Sequence, residues 1–160
     1  MKLPFLRTLV VATCLAIFSL PLRAQLVTKA TLSLELAKKI AAKAEAEAAK
    51  NNWTMVIAIV DDGGNLIYLA KMDGTQIGSI DVAQAKARTA LKFKRSTKVF
   101  EDFVAGGRTA ILSLPGVVAI EGGLPLVVDG AYVGAIGVSG MKSSEDGVAA
   151  EAGASVLAKK

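Results

Sequence analysis

The sequence predicts a single α+β domain in which helices pack on an antiparallel sheet. Its 160 residues suffice for one domain. Helical and strand patterns follow one another in the order helix, two strands, helices, three strands, helix. Short turn sequences join neighbouring strands, as at Asp129-Gly130, and strands joined so directly run antiparallel.

The first half of the domain begins with a helix and a hairpin. Ser33 is a good N-cap, and apolar residues recur at spacings of three and four from there to Asn51-Asn52. Residues 53–60 form an apolar segment typical of a strand. Residues 61–65 favour a turn, because glycine adopts positive φ and Asp and Asn bond their own backbone. Residues 66–72 are the predicted hairpin partner.

Helical patterns occupy the middle of the chain. Apolar spacing predicts a helix over residues 80–95. A shorter helix begins at Ser96 or Thr97 and ends at Gly106-Gly107, and residues 108–114 predict about one helical turn. This block separates the first hairpin from the remaining strands.

Three strands and a terminal helix complete the predicted domain. The strands are residues 117–121, 124–128 and 131–139, so the predicted sheet has five strands. Gly122-Gly123 is predicted to be a tight turn, and Asp129-Gly130 is the signal for a type I′ hairpin. The last helix runs from about Ser144 to Leu157.

The last strand contains an unusual number of glycines. Gly134, Gly137 and Gly140 stand among apolar residues, although glycine weakens a strand because it loses chain entropy and packs no side chain. Either another backbone or a ligand must therefore approach this strand closely. Gly122-Gly123 fits neither G-x-G-x-x-G nor G-x-x-x-x-G-K-[ST], so its pattern favours a turn over a phosphate loop.

The N-terminus has the pattern of a secretory signal peptide. Lys2 and Arg7 are basic, residues 9–22 are mostly apolar, and Ala24 is a small residue at the expected cleavage point. The apolar run is shorter than the ~20 residues that span a bilayer, although a retained anchor is the alternative. We therefore expect residues 1–24 to be removed and residues 25–160 to form one periplasmic or secreted domain that does not span the membrane.

The composition of the predicted mature chain excludes several kinds of site. Without Lys2, Arg7 and Arg23 it has 16 basic and 14 acidic residues, a net charge of +2, and it contains neither His nor Cys. A Ser-His-Asp triad, a thiolate nucleophile and the usual zinc ligands are therefore absent. The densest basic patch is Lys92, Lys94 and Arg95, which we interpret as exposed helix surface rather than a nucleic-acid site.

Two short segments carry candidate binding residues. Lys71, Met72 and Asp73 end a predicted strand, where a thioether and a carboxylate could lie at a pocket mouth or simply be exposed. The second segment precedes and begins the last helix, whose free N–H groups favour an anion. Helix capping alone is the alternative explanation for this segment, which contains Met141, Lys142, Ser143 and Asp146.

The chain resembles the GlcG/HbpS-type haem-binding family, which is related to the C-terminal domain of PduO-type corrinoid adenosyltransferases. The resemblance rests on KMDG at residues 71–74, on the Ala-Lys-Ala-x-Thr-Ala pattern at residues 85–90, on residues 120–140 and on EDGVAAEAG at residues 145–153. It implies a profilin-like, five-stranded antiparallel sheet with helices on both faces. It also implies a homo-oligomer and haem as the cofactor.

The sequence departs from that family at positions relevant to haem. Lys71 replaces the common Arg, the segment 141–146 differs, and no His is present to bind iron. Met72 and Met141 are then the best predicted metal ligands, with Tyr68 and Tyr132 as alternatives.

Two functions follow from the resemblance and its departures. One is an exported haem- or tetrapyrrole-binding protein acting in haem sequestration, sensing or degradation. The other is an oligomeric, non-catalytic binder of another small metabolite. An enzyme using Asp73 or Asp146 is the weakest interpretation, because no paired constellation is visible. The predicted binding residues are Lys71, Met72, Asp73, Gly122, Gly123, Met141, Lys142, Ser143 and Asp146.

Overall fold

The computed structural model describes residues 27–158, so the predicted signal peptide, residues 1–24, lies outside the described part. Four α-helices occur there: α1 (Leu34–Lys50), α2 (Ser79–Phe93), α3 (Lys98–Ala105) and α4 (Ser143–Ala154). Four strands accompany them: β1 (Val56–Asp61), β2 (Leu66–Lys71), β3 (Gly123–Val128) and β4 (Ala131–Ser139). Short 3₁₀ helices cover Thr109–Ser113 and Ser155–Leu157.

The four strands form one antiparallel sheet in the order β2-β1-β4-β3. The predicted α+β class, the two hairpins and the main helices are confirmed. Ser33 caps α1 by accepting a hydrogen bond from the Leu36 N–H at 3.2 Å. Asp129 and Gly130 have φ values of 49° and 80°, the two positive angles that a type I′ turn requires.

The predicted fifth strand, residues 117–121, is wrong, because this segment is irregular. Side chains bind its backbone in place of a neighbouring strand. The Val118 N–H donates to Thr89 Oγ1 at 3.0 Å, and the Glu121 N–H donates to a Glu101 carboxylate oxygen at 2.5 Å. The expected tight turn at Gly122-Gly123 also differs, since Gly123 is already the first residue of β3.

Helices cover both faces of the sheet. Alternate β1 residues point to opposite sides, as the period of two in a strand requires. Ile57 and Ile59 pack with Ile40 and other residues of α1 and with α4, whereas Ala58 and Val60 belong to small clusters beneath α2. None of the helices within residues 27–158 combines the length and the apolar character needed to cross a membrane.

Gly137 of β4 and Gly140, which directly follows the strand, permit close approach of backbone rather than ligand. A Cβ at Gly137 would overlap the Ala83 carbonyl oxygen of α2 and would lie 2.6 Å from the Ala87 nitrogen. A Cβ at Gly140 would lie 2.7 Å from the Met55 Cα. The small residues of α2, Ala83 and Ala87, and Gly137 therefore let the helix lie directly on the sheet.

Candidate functional site

The predicted binding segments lie at the end of the sheet where β1 begins, which we call the β1-start end. Val56 at the start of β1 pairs with Lys71 of β2 and with Ser139 of β4. Gly123 at the start of β3 pairs with Gly137, two residues before that point. The register therefore places the ends of β2 and β4 and the start of β3 at the same end of the sheet, with β2 and β3 at its opposite edges.

A buried ion pair lies at the β1-start end. Lys86 of α2 places its Nζ 2.7 Å from Asp146 Oδ2, and the two side chains are 1% and 3% exposed. Lys86 Nζ also donates to the Val138 carbonyl at 3.0 Å, and the Met141 N–H donates to Asp146 Oδ1 at 3.1 Å. Burial raises the pKa of the Asp146 carboxyl, although the hydrogen bond and charge of Lys86 oppose that effect.

Gly122 and Gly123 pack tightly around this ion pair. A Cβ at Gly122, whose φ is +121°, would lie 2.8 Å from the Asp146 Cβ and 2.9 Å from Lys86 Nζ. A Cβ at Gly123 would lie 2.5 Å from the Lys86 carbonyl oxygen. These contacts explain both glycines by packing, and their role in ligand binding stays a prediction.

The two predicted metal ligands lie in different surroundings. Met72 is partly buried and packs against the core cluster that contains α1. Met141 is 43% exposed, so it is the more exposed residue of the two. Lys71, Asp73 and Lys142 are exposed at the same end of the sheet. Their positions allow them to meet a ligand, but none of them lines either of the two cavities described below.

Ser143 belongs to a polar cluster that the sequence did not indicate. Its Oγ donates to Glu101 Oε1 at 2.9 Å, while the other oxygen of Glu101 accepts from the Glu121 backbone. Burial raises the pKa of the Glu121 carboxyl, the charge of Lys98 opposes that effect, and the neighbouring carboxylates of Glu101 and Glu151 add to it. Within residues 27–158 no group of three or more His, Cys, Asp or Glu side chains is arranged to hold a metal ion. The two hydrogen bonds of the Glu101 carboxylate therefore join α3 to α4 and to the irregular segment, residues 117–121.

A cavity of about 660 Å³ lies at the opposite end of the sheet, which we call the hairpin-end cavity. Its walls are residues 28–30, the β1–β2 turn, the C-terminal part of α2 and the start of β4. A smaller cavity of about 250 Å³ lies between β3 and the C-terminal helical segment. The larger volume is within the range of about 300–1,000 Å³ that is usual for small-molecule sites.

The lining of the hairpin-end cavity is strongly cationic. It contains four basic side chains and a single acidic one, Asp62. Lys29 forms an ion pair with Asp62 and lowers the pKa of its carboxyl. The other three basic residues are therefore not offset by a second carboxylate in the lining; they are Arg88, Lys92 and Lys94.

An apolar surface accompanies these cations. Leu91 packs against the buried cluster beneath α2, and the Tyr132 ring lies 5.1 Å from Lys94 Nζ. The interpretation of Lys92 and Lys94 as plain helix surface was thus incomplete. Their clustering in the sequence was a usable signal, but Tyr132 is 38 residues from Lys94 and only the fold brings the two together.

The model of the family described as "Haem degrading protein HbpS-like" matches residues 32–155. The chain belongs to the HbpS-like family. The predicted family is therefore confirmed, and it covers nearly all of the described domain.

Several members and structures resemble this chain. Protein GlcG of Escherichia coli strain K12 is 46% identical over 132 residues, which cover 82% of this chain and 98% of GlcG. A double mutant of Streptomyces reticuli HbpS is 33% identical, with a TM-score of 0.77, covering 88% of this chain and 99% of that one. The PduOC:heme complex is 26% identical, with a TM-score of 0.71, covering 79% and 95%.

Proposed function

We propose that this protein binds haem or a closely related tetrapyrrole. The observation that carries the proposal is membership of the HbpS-like family, together with likeness to a structure that is a haem complex. The chain's own features are compatible with such a ligand. The hairpin-end cavity combines apolar side chains with three cations, and a porphyrin combines flat apolar faces with two carboxylates.

The side chains that could contact the iron are restricted. The full sequence contains no His, and its one Cys, Cys14, lies in the predicted signal peptide. Tyr and Met are the remaining protein ligands of the usual set. Tyr132 lines the hairpin-end cavity, while Met141 is accessible at the β1-start end. Haem, when bound, would supply iron redox chemistry; the chain's residues would bind and orient it.

Binding rather than catalysis by the chain is the core of the proposal. Asp146, one of the two carboxylates considered as an acid or base, is buried and paired with Lys86. The other, Asp73, is exposed at the end of β2. Sequestration or sensing of haem requires binding alone, so these roles suit the site better than a reaction catalysed by its side chains.

Hemin titration tests the proposal directly. Purified protein lacking residues 1–24 should give a saturable, shifted Soret band, with a spectrum that lacks bis-histidine character because no His is present. Albumin serves as the positive control. If albumin binds hemin and this protein shows no saturable binding, haem is not its ligand and the second candidate function is favoured. That candidate is an oligomeric binder of another anionic metabolite, which the cationic cavity would also suit.

We further propose that the protein is exported and acts in the periplasm or outside the cell. The basic, apolar and small residues of segment 1–24 support cleavage after Ala24. Mass spectrometry of protein from the native host should find a chain that starts at or close to Gln25. An intact Met1 on the folded protein would contradict export by this route.

A further inference from the structure

We propose that the hairpin-end cavity holds the carboxylates of the ligand, with Arg88, Lys92 and Lys94 as the cationic clamp. This inference rests on the proposed function, because it assigns the carboxylates to the propionates of a tetrapyrrole. It differs from the expectation drawn from the sequence, in which the cations among the predicted binding residues were Lys71 and Lys142.

The three cations lie in or directly after the C-terminal part of α2 and line the same cavity. Arg88 lies inside α2, Lys92 lies in its last turn, and Lys94 follows as the C-cap. A cation in the last turn of a helix is favoured by the helix dipole alone, which accounts for Lys92. Arg88 is partly exposed and precedes Lys92 by four residues, so both lie on the face of α2 that lines the cavity.

Two of the clamp residues are held in place before any ligand arrives. Arg88 Nε donates to the Gly64 carbonyl at 3.2 Å, which fixes the guanidinium against the β1–β2 turn. Lys94 has a left-handed backbone, with φ 52°, and its Nζ lies over the Tyr132 ring. Positioning of this kind lowers the entropic cost of binding. A guanidinium also matches a carboxylate in shape, since its N–H groups can donate in parallel pairs.

The apolar part of the cavity fits the remainder of such a ligand. Leu91 lies between Arg88 and Lys92 in the sequence and lines the cavity together with Ala131 and Tyr132. A flat apolar body can therefore contact side chains while its anionic edge meets the cations. A small inorganic anion would use the cations but leave this apolar surface exposed to water.

The β1-start end is less suited to carboxylates. Lys142 Nζ lies 3.8 Å from Glu145 Oε1, so this cation already has a carboxylate neighbour. Lys86, the third cation of that end, is buried and already paired with Asp146. A propionate there would compete with existing carboxylates.

A matched pair of charge reversals tests the assignment. Lys92→Glu/Lys94→Glu alters the hairpin-end cavity, and Lys71→Glu/Lys142→Glu alters the β1-start end by the same change in net charge. Hemin affinity is measured by Soret titration of both variants and of wild type. We expect the Kd for hemin to rise at least tenfold in Lys92→Glu/Lys94→Glu and to change less than threefold in Lys71→Glu/Lys142→Glu. Equal losses, or a larger loss at the β1-start end, would overturn the assignment.

Two further measurements separate folding and ligand chemistry from the clamp itself. Lys92→Arg/Lys94→Arg should retain hemin binding within about threefold, because charge is kept, whereas loss of binding in this variant would contradict a charge-based clamp. Hemin dimethyl ester, in which both carboxylates are blocked, should bind wild type and Lys92→Glu/Lys94→Glu equally. If wild type binds the ester ten times more tightly than Lys92→Glu/Lys94→Glu does, the cations do not act through the ligand's carboxylates.

The outcomes distinguish this inference from the proposed function. No saturable hemin binding by wild type would overturn the proposed function. Normal binding by wild type with an unchanged Kd in a folded Lys92→Glu/Lys94→Glu variant would overturn only the cavity assignment. Circular dichroism and the melting temperature establish that each variant is folded.

Discussion

Gly137→Ala should strongly destabilise the domain. The added Cβ would overlap the Ala83 carbonyl oxygen and lie 2.6 Å from the Ala87 nitrogen, whereas ordinary contacts begin at 3.4 Å. Relieving the contact with the Ala87 nitrogen alone needs a shift of about 0.8 Å (3.4 − 2.6), and the closer Ala83 oxygen needs more. Helix α2 cannot yield like a flexible side chain because the obstructing atoms are backbone. This movement would loosen the packing over Ala58 and Val60. We expect a loss near the upper end of the ~1–3 kcal/mol typical of overpacking.

Urea unfolding followed by circular dichroism measures this loss, at one fixed protein concentration because assembly would add to the apparent stability. Gly78→Ala is the matched control, since Gly78 has φ −62° and nothing lies within 4 Å of an added Cβ. That control should be neutral or slightly stabilising. A free energy of unfolding for Gly137→Ala within 0.5 kcal/mol of wild type, as an order-of-magnitude limit for ordinary surface changes, would refute the close-packing argument.

Three other predictions concern buried charge, pH and assembly. Lys86→Met should cost about 3–5 kcal/mol because it leaves Asp146 buried without its partner, and a loss below about 1 kcal/mol in urea unfolding would contradict this. Glu121→Gln should be more stable than wild type at neutral pH by less than about 1 kcal/mol, because burial raises the pKa of that carboxyl and its charged form is penalised in the folded state. The difference in stability between the two proteins should shrink as the pH falls towards 4.5, the ordinary pKa of a Glu carboxyl. A difference that grows as the pH falls would mean that folding lowers this pKa. Light scattering at micromolar concentration should give a dimer or larger assembly, and a monomer mass would refute the proposed oligomer.

Local signals predicted most of the fold. Ser33 marks the start of α1, and Asp129-Gly130 forms a turn whose positive φ angles suit few other pairs. Such features depend on a few neighbouring residues, so sequence reasoning could find them. The segment 117–121 was mispredicted because its apolar residues favour a strand, while a strand also needs a partner. Thr89 and Glu101 provide its backbone partners instead, and both come from distant parts of the chain.

The candidate site at the β1-start end likewise contains one residue that the sequence indicated and one that it did not. Asp146 was identified from its place at a helix start, but Lys86 was missed even though it follows Ala83 by three residues, on the buried face of a helix. A lysine on that face was a signal that it had a buried partner.

The sequence by itself determined which residue types are available to the protein. It has cations, carboxylates and two kinds of side chain that can bind iron, Tyr and Met, and it has no His. The tertiary structure decided which of them meet. Packing of α2 on β4 brings Lys86 to the Val138 carbonyl and to Asp146 of the helix that follows β4. The same packing places Arg88, Lys92 and Lys94 beside Tyr132 and the two hairpin turns. These side-chain contacts depend on how a helix lies across a sheet, and that geometry arises from packing between segments that are distant in sequence.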